Sequence, residues 1–295
     1  MLEGIITPIV TPFHRDEKQT INYEATKQLI DYVINKGVDG IFILGSNGEF
    51  HVIDEDEKIE FAKKVVKHVN HRVPVFAGTG ACSTLATKRL SRKMEEVGVD
   101  ALSIISPYFV SPNDDELYEH FASVANEVHI PVILYNIPRL TGLNISKELV
   151  RRLSSISNIV GIKDSSRDLD NLQGYIDVAK ETNMSVLVGS DSIISQGYHM
   201  GASGAIAGMS NVIAEVLVNL YKALKENDEE KAKYYQDEIE VIRKVNGLAT
   251  MPSILKRSLE LANIASVGPA RLPVKEVNDE VDDKIKEMLM HYKLI

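Results

Sequence analysis

The segment Gly40-Ile-Phe-Ile-Leu44 is a continuous apolar run that leads directly into the glycine-containing stretch Gly45-Ser-Asn-Gly-Glu49. A few residues later, Asp54 and Glu57 have the spacing of a capping box, which predicts a helix through Val69. An apolar run without polar alternation is typical of a strand that is covered on both faces, as in a parallel sheet. The segment therefore predicts one complete unit of strand, loop and helix.

Seven more apolar runs repeat this unit along the chain. The eight predicted strands are Gly4–Val10, Gly40–Leu44, Val73–Ala77, Ala101–Ile105, Pro131–Tyr135, Ile159–Lys163, Ser185–Gly189 and Gly204–Ala207. Their mean spacing of about 28 residues suits a strand–helix pair. No Pro/Ser-rich linker interrupts the series, so the chain is expected to form one α/β domain rather than two. We predict a (β/α)8 TIM barrel over residues 1–225.

The pattern changes after residue 225. Three helical segments follow with no strand between them: Glu226–Val245, Pro252–Ala262 and Glu276–Leu294. The charged start of the first segment is typical of a solvated helix face. We predict that residues 226–295 form a C-terminal helical extension packed on the barrel, and that it is a candidate oligomer surface.

Composition and charge exclude several classes of protein. The 295 residues carry 33 Lys and Arg against 42 Asp and Glu, a net charge of −9, which argues against nucleic acid as the main partner. No apolar run approaches the roughly 20 residues that span a bilayer, and the N-terminus lacks the basic start of a signal peptide, so no membrane segment is expected. The single cysteine, Cys82, rules out a disulfide scaffold and favours a reducing, cytoplasmic location.

In such a barrel the catalytic groups lie where the strands end. Lys163 completes the apolar run Ile159–Lys163. Burying a lysine there costs free energy unless its amine pairs with an acidic group, reaches water or reacts with a substrate. Burial lowers the pKa of a lysine in general, and a neutral amine attacks carbonyl carbon. The alternative is a lysine that extends to the rim and pairs with Asp164. From this residue alone the two interpretations carry about equal weight.

Tyr135 ends the strand next to that of Lys163, so the two side chains are expected to lie close together. A phenol beside an imine-forming amine can transfer protons, although one tyrosine taken alone is more often structural. The Gly45–Gly48 loop offers backbone N–H groups and the Ser46 hydroxyl, a set that suits a small carboxylate. No metal motif such as His-Glu-x-x-His occurs, and Gly78-x-Gly80 lacks the third glycine of a dinucleotide site. Neither a metal nor an organic cofactor is therefore predicted.

Three motifs in fixed order resemble those of one enzyme family. They are Gly45-Ser-Asn-Gly-Glu49, Tyr135-Asn-Ile-Pro138 with Thr141-Gly142, and Gly161-Ile-Lys-Asp164. Over essentially its whole length the chain resembles the dihydrodipicolinate synthase/N-acetylneuraminate lyase family. The resemblance implies a (β/α)8 barrel, a class I aldolase mechanism that uses no cofactor, and assembly into homo-oligomers, commonly tetramers built from dimers.

The resemblance also implies roles for individual residues. Lys163 matches the lysine that forms a Schiff base with pyruvate or another 2-keto acid, and Tyr135 matches the acid/base tyrosine. Four further positions match residues that hold or line the bound pyruvate: Ser46 and Asn47 in the carboxylate loop, Gly189 after the seventh strand, and Ile206 in the eighth.

This sequence departs from the synthases of the family in the part of the site that binds the aldehyde. Those synthases have Thr-Thr where Ser46-Asn47 stands here. Their carboxylate-binding arginine aligns with Leu140, which leaves the adjacent Arg139 as a substitute substrate-binding residue. Their relay tyrosine, which crosses a subunit interface, aligns with Phe109, and Tyr108 precedes it. We therefore expect Tyr108 and Arg139 to take part in substrate binding.

The stretches Gly37–Phe50 and Asn136–Gly142 are similar to 2-keto-3-deoxygluconate-type aldolases. The expected reaction is therefore the reversible cleavage of a 2-keto-3-deoxy sugar acid to pyruvate and a small aldehyde. A 4-hydroxy-tetrahydrodipicolinate synthase, which condenses pyruvate with aspartate semialdehyde, stays open as the alternative. A non-catalytic ligand-binding barrel is a remote third, since Lys163 and Tyr135 are both present.

Overall fold

A computed structural model describes residues 2–295. Eight parallel strands form a closed barrel in chain order, and the last strand pairs with the first. The strands are β1 (Gly4–Pro8), β2 (Gly40–Ile43), β3 (Val75–Gly78), β4 (Ala101–Ile105), β5 (Val132–Asn136), β6 (Ile159–Asp164), β7 (Ser185–Val188) and β8 (Gly204–Ile206). The predicted TIM barrel is thus confirmed, with strand ends that differ from the prediction by at most two residues.

Helices follow every strand and cover the outside of the barrel. They are α1 (Tyr23–Asn35), α2 (Glu55–Val69), α3 (Thr84–Val97), α4 (Asp114–Ala125), α5 (Pro138–Thr141), α6 (Lys147–Leu153), α7 (Leu169–Lys180), α8 (Ile194–Met200), α9 (Ser210–Lys225), α10 (Glu229–Asn246), α11 (Ser253–Leu261) and α12 (Asp279–His291). Local signals set their ends: the Asn22 side chain caps α1, and Gly98, at φ +91°, ends α3. None of the helices between residues 2 and 295 is long and apolar enough to cross a membrane.

The strands separate two apolar cores because successive side chains point to opposite faces. The core inside the barrel consists of Ile6, Phe42, Phe76, Ala101, Ile133, Leu187 and Ile206. The larger core lies between the sheet and the helices and includes Leu29, Phe61 and Leu149. Tyr135 follows Ile133 by two residues, so it continues the inward-facing row toward the carboxyl end of the strands.

The C-terminal extension packs against the barrel helices. Ile239 and Ile242 of α10 and Leu289 of α12 are completely buried, whereas Glu229 and Glu230 at the start of α10 are exposed. The apolar residues belong to the same core as the barrel helices. The division into a barrel of residues 1–225 and an extension of residues 226–295 stays a prediction.

Candidate active site at the carboxyl end of the barrel

Tyr135 and Lys163 stand next to each other in the register of β5 and β6. Both side chains are only 4% exposed. The Nζ of Lys163 lies 4.0 Å from the centroid of the Tyr135 ring and 5.3 Å from that of Phe42. The structure therefore brings the predicted nucleophile and the predicted proton-transfer group together inside the barrel mouth.

Lys163 is buried without a carboxylate partner. Among residues 2–295 no acidic group forms an ion pair with it. The carboxylate of Asp164 instead accepts hydrogen bonds from Asn136 Nδ2, at 2.9 Å, and from Ser166 Oγ, at 2.7 Å. Burial raises the pKa of the Asp164 carboxyl. The interpretation of Lys163 as a rim lysine paired with Asp164 is therefore wrong, because the two side chains leave the strand on opposite faces.

The end of β7 makes room for the lysine. A Cβ atom placed on Gly189 would lie 2.9 Å from Lys163 Cε and 2.9 Å from the Asp164 carbonyl oxygen. Such contacts are too short for any side chain, so glycine is needed where the backbone passes the lysine. Ile206, the other predicted lining residue on this side, is fully buried and belongs to the same inner core as Phe42.

The predicted carboxylate loop adjoins the tyrosine. Ser46 Oγ lies 3.3 Å from the Tyr135 hydroxyl. The turn is closed by hydrogen bonds from Glu49 N to the Ser46 carbonyl, at 3.2 Å, and from Phe50 N to the Gly45 carbonyl, at 3.4 Å. A Cβ on Gly208 would lie 2.7 Å from Asn47 Nδ2, so the Asn47 amide reaches across to the end of β8.

A small pocket opens beside Tyr135. Its lining residues are Phe42, Leu44, Gly45, Phe50, Gly78, Gly80, Ser103, Ile105 and Tyr135. Ser103 Oγ is buried and has no hydrogen-bond partner in the described part of the chain. Neither Phe42 nor Ser103 is among the predicted site residues. Alternate residues of a strand point into the barrel, and this pattern in two predicted strands could have identified both.

Asp191 is a further group that the sequence-based site did not include. Its side chain is 8% exposed, and its Oδ1 accepts a hydrogen bond from Met209 N at 3.1 Å. Burial raises the pKa of its carboxyl, and the nearby positive charges of Arg243 and Lys163 oppose that rise. Its position just after β7, in the loop Gly189-Ser190-Asp191, is the signal that could have identified it.

The residues expected to bind the aldehyde are spread over the rim. Tyr108 packs edge-on against Phe50, with ring centroids 6.0 Å apart, and burial raises the pKa of its phenol to about 12. Arg139 is exposed on the short helix α5 and forms no ion pair with the described residues. Phe109 is 97% exposed and has a φ of +81°. The structure thus packs Tyr108 against Phe50, which lines the pocket, but leaves Arg139 and Phe109 in solvent.

The arrangement lacks the side-chain cluster of a metal enzyme. Within residues 2–295 no group of three or more His, Cys, Asp or Glu side chains could hold a metal ion. What converges instead is a buried amine, a phenol and a loop suited to a carboxylate. A (β/α)8 barrel with this set defines a lyase of the class I, Schiff-base type.

Comparison with known proteins agrees with that class. The model of the dihydrodipicolinate synthetase family matches residues 1–292. The chain is 34% identical to the 4-hydroxy-tetrahydrodipicolinate synthase of Methanoculleus marisnigri, over 99% of this chain and 100% of that protein. It is 35% identical to the enzyme of the same name from Listeria monocytogenes, over 98% of each chain. The chain belongs to the dihydrodipicolinate synthetase family.

Solved structures give the same result. YagE, a prophage protein of the dihydrodipicolinic acid synthase family from E. coli K12, has been solved in complex with pyruvate. It is 33% identical to this chain with a TM-score of 0.94, and both chains are covered completely. The curated relatives named above are all synthases, so they favour the synthase alternative over the expected sugar-acid branch, which no comparison confirms.

Proposed function

We propose that this protein binds pyruvate as a Schiff base on Lys163 and joins it to an aldehyde. The observation that carries the proposal is the convergence of three groups. The buried Lys163 Nζ lies 4.0 Å from the Tyr135 ring, whose hydroxyl lies 3.3 Å from Ser46 Oγ in the carboxylate loop. That spacing lets one small 2-keto acid reach all three groups at once.

The chemistry follows from these groups. The neutral Lys163 amine attacks the C2 ketone of pyruvate, and a proton passed through Tyr135 lets the carbinolamine oxygen leave as water. Loss of a C3 proton from the resulting imine gives an enamine, whose C3 attacks the aldehyde carbon. The new oxyanion takes a proton, and attack on the imine carbon by water or by an amino group of the product frees Lys163. Cleavage runs through the same steps in reverse.

For the aldehyde we favour aspartate semialdehyde, which makes the protein a 4-hydroxy-tetrahydrodipicolinate synthase. The support is the synthase activity for which the relatives are named, and these relatives are 34–35% identical to this chain along almost their whole length. The cytoplasmic location expected from the single exposed Cys82 stays a prediction.

The distal residues favour a second candidate, a 2-keto-3-deoxy sugar acid. Leu140 is 45% exposed and has no positive charge for the carboxylate of aspartate semialdehyde. Phe109, at the predicted relay position, has no hydroxyl. The buried hydroxyl of Ser103, which has no partner among the described residues, is a group that a polyhydroxylated substrate could use.

Borohydride trapping tests the shared step. Reduction in the presence of pyruvate, followed by peptide mass mapping, should put a stable adduct on the peptide that contains Lys163. Lys163→Arg should abolish the adduct, whereas Lys180→Arg, at an exposed lysine of α7, should retain it. Wild-type protein without an adduct on Lys163 would overturn the proposal.

A substrate panel then separates the two candidates. The synthase assignment predicts pyruvate consumption with aspartate semialdehyde and no pyruvate release from 2-keto-3-deoxy sugar acids. The opposite result would assign the sugar-acid reaction. An enzyme that forms the adduct but turns over neither class would contradict both assignments.

We further propose that the protein is a homo-oligomer, either a dimer or a tetramer. Phe109 and Val110 are adjacent apolar residues, 97% and 68% exposed at the barrel mouth, and a second copy would cover them. Sedimentation should give at least twice the monomer mass, and Phe109→Asp should lower it. A monomeric wild-type chain would contradict this proposal.

A further inference from the structure

Glu49, the last residue of the Gly45–Glu49 loop, has an unusual backbone. Its φ is +57°, a left-handed conformation that residues other than glycine rarely adopt. Its side chain is nevertheless 2% exposed. A buried carboxylate on a left-handed residue persists only where the surroundings hold it firmly.

Residues of the C-terminal extension make the contacts that fix the Glu49 side chain. Lys256 of α11 is 1% exposed, and its Nζ lies 2.5 Å from Glu49 Oε1. The backbone N–H of Arg271 donates to Glu49 Oε2 at 2.8 Å. Lys256 Nζ also donates to the Pro269 carbonyl at 2.9 Å. Residues from beyond the barrel therefore hold both oxygens of Glu49, Oε2 through a hydrogen bond and Oε1 through its ion pair with Lys256 alone.

The same segment is tied to the barrel at other points. The Arg271 guanidinium pairs with Glu57 of α2, with Nη1 2.7 Å from Oε2, and donates to the Val52 carbonyl at 2.9 Å. Lys256 Nζ and Arg271 Cζ lie 4.2 and 4.5 Å from the centroid of the Phe13 ring. Two cations thus contact one aromatic ring and hold the extension against the β1–α1 loop.

A short path connects Lys256 to the active site. Glu49 N donates to the Ser46 carbonyl at 3.2 Å, and Ser46 Oγ lies 3.3 Å from the Tyr135 hydroxyl. We infer that Lys256 is a positioning residue, which fixes Glu49 and thereby sets the Ser46-Asn47 loop for the carboxylate of pyruvate. This inference rests on the proposed function, because the loop's role in carboxylate binding is part of it.

The charge state agrees with this role. Burial lowers the pKa of Lys256 to about 8, and the carboxylates of Glu49 and Glu260 oppose that change. Lys256 is therefore mostly protonated at neutral pH, and the pair with Glu49 is intact. Buried pairs of this kind are weak evidence for stability, since apolar replacements often serve as well. Positioning of the Ser46-Asn47 loop therefore explains this ion pair better than a net gain in the free energy of unfolding does.

The test is a comparison of KM for pyruvate with kcat. Lys256→Met keeps most of the buried chain but removes the charge, so the loop should lose its anchor and KM should rise roughly tenfold, with a smaller change in kcat. Lys256→Arg keeps the charge and should recover part of that loss. Lys286→Met, at an exposed lysine of the same extension, is the matched control and should leave KM unchanged.

A purely structural role would lower the melting temperature and the yield of active enzyme but leave KM unchanged, and that result in folded Lys256→Met would overturn the inference. If this variant does not fold, Glu49→Gln/Lys256→Met removes both charges together, and an unchanged KM there would also overturn it. Wild-type borohydride trapping distinguishes the two proposals. An adduct on Lys163 with unchanged KM in the variants rejects only the role of Lys256, whereas no adduct rejects the proposed function.

Discussion

The Nζ of Lys163 lies 4.0 Å from the centroid of the Tyr135 ring because the two residues are register partners on adjacent parallel strands. The relationship is set by the backbone, so it does not depend on a flexible loop. A reacting group held on a rigid strand keeps its geometry throughout a multistep reaction.

Removing the Tyr135 hydroxyl should slow the chemistry and spare binding. Tyr135→Phe keeps the ring beneath Lys163 Nζ but removes the proton-transfer group, so kcat should fall by roughly 10²- to 10⁴-fold. Steady-state kinetics with pyruvate would measure it. Tyr234→Phe, at a tyrosine 57% exposed on α10, is the matched control and should keep wild-type kcat. A Tyr135→Phe enzyme with full activity would assign this tyrosine a structural role.

Adding one methyl group at Gly189 should disable the lysine. The Cβ would overlap the Ser165 hydroxyl and would also lie 2.9 Å from both Lys163 Cε and the Asp164 carbonyl oxygen. We expect Gly189→Ala to lose most borohydride-trappable adduct. Gly174→Ala, inside α7, meets only the flexible Lys147 side chain and should stabilise the protein by up to about 1 kcal/mol. Normal trapping by Gly189→Ala would show that the lysine does not need this space.

Removing the Ser46 hydroxyl should weaken pyruvate binding. A single hydrogen bond contributes about 1 kcal/mol net, so Ser46→Ala should raise KM for pyruvate by roughly fivefold. The exposed Ser157 offers a control, since Ser157→Ala changes a hydroxyl far from the loop. An unchanged KM in Ser46→Ala would remove the hydroxyl from the carboxylate site and leave only the loop's backbone groups.

The burial of His120 should make the free energy of unfolding depend on pH. It is 5% exposed, its Nε2 has no partner among the described residues, and burial lowers its pKa to about 4 from an ordinary 6.5. Between pH 6.5 and 4 the unfolded chain therefore binds more protons at this site. The free energy of unfolding should fall as pH falls through that window, by up to roughly 3 kcal/mol.

Urea unfolding at several pH values measures this contribution. His120→Gln should flatten the slope between pH 6.5 and 4, while His129→Gln, at a side chain 95% exposed, should keep it. Identical slopes in His120→Gln and the wild type would mean that His120 is not the group responsible.

Much of this protein could be predicted from local patterns. Eight apolar runs at regular spacing predict the barrel, because a strand covered on both faces must be apolar throughout. The ends of the same runs predict Lys163 and Tyr135, because the carboxyl ends of parallel strands meet at one face. The helix caps at Asn22 and Gly98 are equally local, since they depend on a few neighbouring residues.

Packing between distant segments of the chain decided the rest. Three features depend on segments that are far apart in the chain: the lack of a carboxylate partner for Lys163, the position of Asp191 near it, and the contact between Lys256 and Glu49. Periodicity tells which face a side chain leaves from, but not which distant group it will meet there. The chain's own residues therefore dictate a barrel with an amine at its mouth, whereas only long-range packing selects the groups that hold and surround that amine.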